Sequence, residues 1–284
     1  MEEAFEIPKL PLDDWIDAGL DFLTEHFAFL SKSISKHLEE LIYFIIDGLM
    51  FFPPGVIIII FTLIAWRLAD SKVALLTVIG LCFLWNLRLW EPTIETLTLV
   101  LVATFIAVLI AIPMGILAAL SKSAYRIIMP LMDLMQTMPA FVYLIPAIPF
   151  FGLGAVSAIF STVIFAMPPA IRLTCLGIKQ VPRELIEAAD AFGSTKLQKL
   201  FKLQLPLAVP TIMAGINQTI MLALSMVVIA AMIGAGGLGS EVWKAIQRLQ
   251  PGMGFQAGIA IVILAMILDR ISQKVGQKNR NYSA

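Results

Sequence analysis

The sequence predicts an all-α polytopic membrane protein with about seven transmembrane helices, preceded by an amphipathic N-terminal helix; three observations carry that prediction. Of the 284 residues, 59% are hydrophobic and 14% charged, with a mean hydropathy of +0.90, a composition foreign to soluble domains. Uncharged runs of about 20 residues, the length that crosses a bilayer core of roughly 30 Å as a helix, recur along the chain. Ahead of them, apolar residues repeat at steps of three and four.

That leading segment places Ile16, Leu20, Leu23, Phe27, Leu30, Ile34, Leu38 and Leu41 on one side, with Asp17, Asp21, Glu25, Lys32, Lys36 and Glu39 mostly elsewhere. Such a helix suits an interfacial belt, a brace against a neighbouring subunit, or a lead-in packed on its own chain. The first span is expected from Gly48 to Trp66 and the second from Val73 to Trp90, where Arg88 can snorkel. Thr96 to Ser121 gives the third. Leu134 to Ile171 is too long for one crossing, and Phe151-Gly152-Leu153-Gly154 divides it into spans four and five. Leu207 to Ile233 is the sixth, stopped by the run Gly234-Ala235-Gly236-Gly237-Leu238-Gly239. Phe255 to Ile271 is the seventh.

An odd number of spans puts the termini on opposite sides. The first forty residues carry ten acids against three lysines, and the rest of the chain compensates with +7. Placing the stretch between spans five and six in the cytoplasm gives the inner side fourteen Lys and Arg and the outer side six, Lys9, Lys32, Lys36, Arg88, Lys244 and Arg248. The N-terminus is then outside and the C-terminus cytoplasmic. Met1-Glu2-Glu3 is acidic and no apolar signal core precedes Leu41, so the N-terminus is expected to be retained. Residues 1–47 form the extracytoplasmic segment, 48–90 two peripheral helices, 91–273 the core, and 274–284 a cytoplasmic tail.

Several chemistries lack their residues. No Lys/Arg cluster stands free of apolar sequence, which sets nucleic-acid binding aside. Cys82 and Cys175 lie in apolar runs, and His26 and His37 are spaced for no usual metal pair, so no metal site is expected. Gly234 and Gly239 have the spacing of a P-loop, but Ser240-Glu241 follows where Lys-Ser/Thr is required. The GxGxxG formed by Gly234, Gly236 and Gly239 follows a membrane helix rather than a strand, and reads as a helix terminator or part of an outer gate. No catalytic residue is expected, and the chain is read as not an enzyme.

The longest polar stretch, 179–206, is the informative one. Pro182 can open a helix whose apolar side holds Leu185, Ala188, Ala189, Phe192 and Leu197, and Gly193 permits a tight turn into a second short helix. On residues alone this is either a solvated loop helix or an element that fits a groove on another protein. Glu187-Ala188-Ala189, three residues, Gly193, nine residues and then Leu203-Gln204-Leu205-Pro206 resembles the EAA signature of ABC importer permeases, with Leu203 where that family usually has Ile. Around it, 134–143, 165–172 and 217–226 are similar to the glycine betaine/proline branch, the likeness running from span three to span seven.

That resemblance implies a type I ABC importer permease-like core in a bacterial inner membrane, paired as a homodimer on two ATPase subunits. Glu187, Ala188, Ala189, Gly193, Leu203 and Pro206 would form the coupling segment. ATP and Mg would be bound by the ATPase partner, with no cofactor in this chain.

Pro113, Pro130, Pro139, Pro146, Pro149, Pro168 and Pro169 crowd spans three to five, and backbone breaks in a bilayer are tolerated where they face protein or a wet cavity. A passage for a quaternary ammonium needs aromatic faces, soft walls and a few donors for a carboxylate. Met135, Gln136, Met138, Phe141 and Tyr143 of span four, and Asn217, Met221 and Ser225 of span six, supply those types; each is also compatible with ordinary packing. Asp133 and Arg172 lie near one boundary, placed to pair or to meet headgroups. With no soluble domain to enclose a ligand, tight recognition falls to a separate extracellular solute-binding protein. The alternative is an ion-coupled secondary transporter of small zwitterions, which needs central ion sites, and span six carries no charge.

Overall fold

A computed structural model describes residues 11–280, with side chains described to residue 276. Lys9, the acidic start of the chain and the last four residues of the predicted tail lie outside the described residues. The described elements are helical: α1 (Leu12–Met50), α2 (Pro54–Leu68), α3 (Ser71–Asn86), α4 (Trp90–Leu120), α5 (Lys122–Thr137), α6 (Leu144–Phe151), α7 (Ala155–Lys179), α8 (Arg183–Ala191), α9 (Lys196–Lys199), α10 (Leu205–Ala230), α11 (Gly237–Gln247) and α12 (Pro251–Arg280). By length and composition four of these helical runs can cross a bilayer, rising to six when each of two bent pairs counts as one span; α3 is a shorter apolar helix beside them.

Both bent pairs depart from the predicted boundaries, and proline is the reason. The expected first span from Gly48 to Trp66 is broken after Met50, where Pro53 and Pro54 cannot continue the hydrogen-bond ladder, and α2 leaves α1 at 104°. The fourth begins earlier than expected, at Lys122. It breaks at Met138-Pro139, where the residue before proline is pushed extended (ψ 135°), and continues through a 3₁₀ turn, Ala140–Tyr143, into α6 at 114°. The break at 152–154 is as read from the sequence: Gly152 and Gly154 both have positive φ.

The core centres on α7, which packs most extensively against α10 and α4. Lipid tails offer no hydrophobic drive between helices, so close backbone approach must hold them, and small residues allow it. Ala103, Ala107, Ala111 and Ala118 of α4 are fully buried, as are Ala166 and Ala170 of α7 and Ala223 of α10. A Cβ on Gly115 would sit 2.6 Å from Thr174 Cβ and 2.7 Å from the Ile171 carbonyl oxygen; a Cβ on Gly215 would sit 3.1 Å from Ala170 Cα. At this packing a single methyl at Gly115 costs about 1–3 kcal/mol.

The second half of α1 packs on its own chain, with Ile42 buried and Leu38, Ile45, Ile46 and Leu49 against the main core. Its first half leaves Trp15, Ile16, Phe22, Phe27 and Phe29 exposed. Two short bonds tie the peripheral helices down: Gln256 Nε2 of α12 donates to the Leu87 carbonyl at the end of α3, 3.0 Å away, and Lys274 of α12 pairs with Asp70, the cap of α3, at 3.2 Å.

Candidate functional site

The chain between α7 and α10 is anchored at both ends and free in the middle. Ile178 at the end of α7 and Leu200 after α9 are buried together with Ala208 and Ile212 of α10, whereas α8 buries no residue. Pro182 occupies the position before the first helical residue, and Arg183 and Glu187 form an exposed i,i+4 pair at 4.0 Å. Glu187, Ala188 and Gly193 are exposed and Ala189 half-buried; Phe192 is 91% exposed.

Gly193 closes α8 because it alone can take the left-handed conformation cheaply there, at φ +73°. Its N–H donates to the Asp190 carbonyl at 2.9 Å and the Ser194 N–H to the Ala189 carbonyl at 3.0 Å, the paired bonds of a Schellman cap. Thr195 and Gln198 then open α9 with a reciprocal capping box, and Asp190 pairs with Lys199 across the turn. Leu203 falls in a π-helical turn, Leu200–Gln204, and Pro206 follows directly in the first turn of α10.

A cavity of about 480 Å³ lies beside this end of the bundle, among α5, α7 and α10. Tyr125 and Lys179 flank its mouth, the ammonium 3.3 Å from the ring centroid. Gln136, Pro169, Arg172 and Gln218 also line it. Arg172 is hydrogen-bonded to Asp133 of α5, and its buried Nε has no partner.

Of the predicted path residues, Gln136 reaches this cavity, and Met221 and Ser225 continue the same side of α10, Ser225 exposed and Met221 half-buried. Phe141 is 52% exposed at the bend after α5 and Met138 is half-buried. Met135 and Tyr143 are buried, the Tyr143 hydroxyl donating to the Met135 carbonyl and its ring meeting Phe165 edge-on. Asn217 turns the other way, toward α12, where its Nδ2 donates to Asp269 at 3.0 Å and its Oδ1 accepts from Ser272. Its neighbour Gln218 lines the cavity, and together with Asn217 it also borders a recess of about 370 Å³ against α12. Asp269, also held by Gln273 at 2.7 and 2.8 Å, is a carboxylate that sequence reading missed; nothing in its spacing marks it.

At the opposite end of α10, the glycine run does more than stop a helix. Gly234 takes a left-handed cap at φ +85°, and Gly237 donates its N–H to Glu95 of α4 at 2.6 Å while Leu238 donates to Thr96 Oγ1 at 2.8 Å. Glu95 and Gly234 border a second recess of about 420 Å³ that also includes Glu39, Tyr43 and Phe151.

Comparison with known proteins agrees with this architecture. Residues 111–281 match the family model described as binding-protein-dependent transport system inner membrane component. The chain is 52% identical over 275 residues to the glycine betaine transport system permease protein OpuAB of Bacillus subtilis, covering 97% of this chain and 98% of that one. It is 49% identical to the glycine betaine/carnitine transport permease protein GbuB of Listeria monocytogenes (97% and 99% covered). To the glycine betaine/proline betaine transport system permease protein ProW of Escherichia coli it is 46% identical (98% and 79% covered). Among solved structures, inward-facing forms of the MetNI methionine ABC transporter share the fold, with TM-scores of 0.61 and 0.63 at 23% identity, covering 65% and 67% of this chain and 93% and 95% of those chains.

Proposed function

The chain belongs to the binding-protein-dependent transport system inner membrane component family, and on that premise we propose that it is the multi-pass permease subunit of an ABC importer for glycine betaine or a related quaternary-ammonium or proline-type solute. The observation that carries this reading is the identity to glycine betaine permeases over nearly the whole chain. The free α8 between two buried anchors supports a coupling role. Closure of partner ATPases on ATP, with its Mg, would press on Glu187, Ala188, Ala189 and Gly193, and the anchors at Ile178 and Leu200 would carry that movement into α7 and α10. Leu203 and Pro206 sit where this load enters α10. The hydrolysis itself would belong to the ATPase subunit.

Two copies of the chain would enclose the path, with Gln136, Gln218, Met221 and Ser225 facing it and lipid covering the outer helices. An extracellular binding protein would deliver the solute at the end marked by Glu95 and Gly237, placing α8 and the C-terminus in the cytoplasm and the N-terminus outside. An ion-coupled transporter is not favoured by this family. The test is to purify the chain with its soluble partners and measure ATP turnover with each candidate osmolyte presented on the binding protein. Stimulation by glycine betaine and its analogues is expected; turnover indifferent to every such solute would contradict the assignment.

A further inference from the structure

We propose that the recess beside the glycine run, at the end of α10 away from α8, is a reception site for the quaternary-ammonium pole of an arriving solute. The inference rests on the importer reading above and deepens it by naming where the solute is first held. Four parts of the chain build the walls. Glu39 and Tyr43 enter from α1, Glu95 from α4, Phe151 from the end of α6, and Gly234 and Gly236 from the turn that follows α10. The volume, about 420 Å³, falls within the range of small-molecule sites.

Two carboxylates line this recess, and no Lys, Arg or His does. Oε2 of Glu95 accepts the Gly237 N–H at 2.6 Å. Glu39 has no basic partner among the described residues, since the nearby Lys36 reaches Glu40 instead, at 4.0 Å. The recess therefore calls for a positive charge that the protein does not supply. A hard metal ion such as calcium takes about six to eight oxygen ligands, and among the described residues no three His, Cys, Asp or Glu side chains gather as a metal cluster. A methylated ammonium is different: it donates no hydrogen bond and rests on aromatic faces with a carboxylate nearby. Rings are present on two sides. Phe151 is half-buried and held against Phe160, centroids 4.7 Å apart, while Tyr43 is 54% exposed and open to a solute coming from water.

Selectivity follows from the missing basic group. The recess reads one pole only: the ammonium enters, and the solute's own carboxylate, repelled by Glu39 and Glu95, stays toward water. A bare quaternary cation therefore competes for the site, whereas a bare carboxylate does not. Glu39 is exposed, so water and salt screen its charge and the hold is weak. Weak binding suits a place that must pass its solute on.

The test begins with the permease–ATPase complex, binding protein left out. In a Cys82→Ala/Cys175→Ala background, Leu153→Cys puts a thiol on the recess wall, where Leu153 is 72% exposed. Tetramethylammonium chloride should slow maleimide labelling there by about threefold or more, the scale of a cation held by rings and a carboxylate. Sodium acetate and calcium chloride at equal ionic strength should not. Glu39→Gln/Tyr43→Leu should remove the protection and Tyr43→Phe, which keeps the ring, should retain it. Labelling that is equally fast in all three salts, or protection that survives Glu39→Gln/Tyr43→Leu, overturns the proposal.

The complete complex in proteoliposomes supplies the functional reading. Glu39→Gln/Tyr43→Leu should lower glycine betaine uptake by about threefold or more, with Tyr43→Phe close to wild type. Unchanged uptake in the double variant overturns the reception role even where tetramethylammonium protects. Wild-type vesicles that take up no zwitterion on ATP would instead defeat the importer assignment, while the labelling result still stands on its own, so the two failures are distinguishable.

Discussion

Glu95 and Gly237, 142 residues apart, meet where Glu95 Oε2 of α4 accepts the Gly237 N–H at 2.6 Å. The carboxylate lies at the N-terminus of α11, where unpaired backbone donors and the helix dipole favour an anion. Gly237 is required by two constraints at once: its φ is +71°, and a Cβ there would come within 2.4 Å of Thr96 Oγ1. Glu95→Ala is expected to lower the stability of the solubilised complex by about 1–3 kcal/mol, with Glu95→Gln milder because it keeps an acceptor. Gly237→Ala should cost more than Glu95→Ala. Thermal unfolding of the three variants gives the order.

Gly193 presents the opposite case. A Cβ there meets nothing within 4 Å, so any penalty comes from the left-handed backbone alone. Gly193→Asn, which tolerates that conformation, should retain most uptake, whereas the β-branched Gly193→Val should break the Schellman cap at a cost of about 1–2 kcal/mol. Uptake in vesicles is expected to fall with Val even where the permease–ATPase complex still copurifies.

Asn217 joins α10 to α12 through Asp269 and Ser272. Asn217→Ala leaves the carboxylate to Gln273 and should destabilise the complex by about 1–3 kcal/mol. Asn217→Asp sets two carboxylates together and should cost more than Asn217→Ala. Unfolding midpoints of the two variants at neutral pH check the order.

Asp70, in the turn between α2 and α3, is held below its ordinary value of 3.8 chiefly by the Val73 N–H and then by Lys274. A carboxyl lowered in the folded state stabilises it above the unfolded value, and that contribution is lost as pH falls through the lower, folded one. The unfolding midpoint of wild type should therefore be insensitive to this group from neutral pH to about pH 5 and decline below about pH 4. Asp70→Asn should flatten that part of the decline.

The sequence carried what depends on local pattern. Apolar runs located the helices, Pro182 and Gly193 bounded α8, and Gly152 and Gly154 marked a true break. What it lacked was helical phase between segments. Asn217 and Gln218 are adjacent, and only the packing of α12 decides that the first turns inward to Asp269 while the second lines the cavity. Asp133 and Arg172 were placed near one boundary, but their pairing depends on the crossing of α5 and α7. The Glu95 contact was invisible for the same reason: nothing near residue 95 announces a partner near residue 237. Proline misled in one respect, since Pro53 and Pro54 turn a predicted straight span into a bend of 104°.

The central claim is that partner ATP hydrolysis, passed through the α8 segment, drives solute entry. Vesicles loaded with ATP and treated to collapse ion gradients test it most directly. Glycine betaine uptake should continue under those conditions and cease when internal ATP is withheld; uptake that dies with the gradients and ignores ATP would contradict the account.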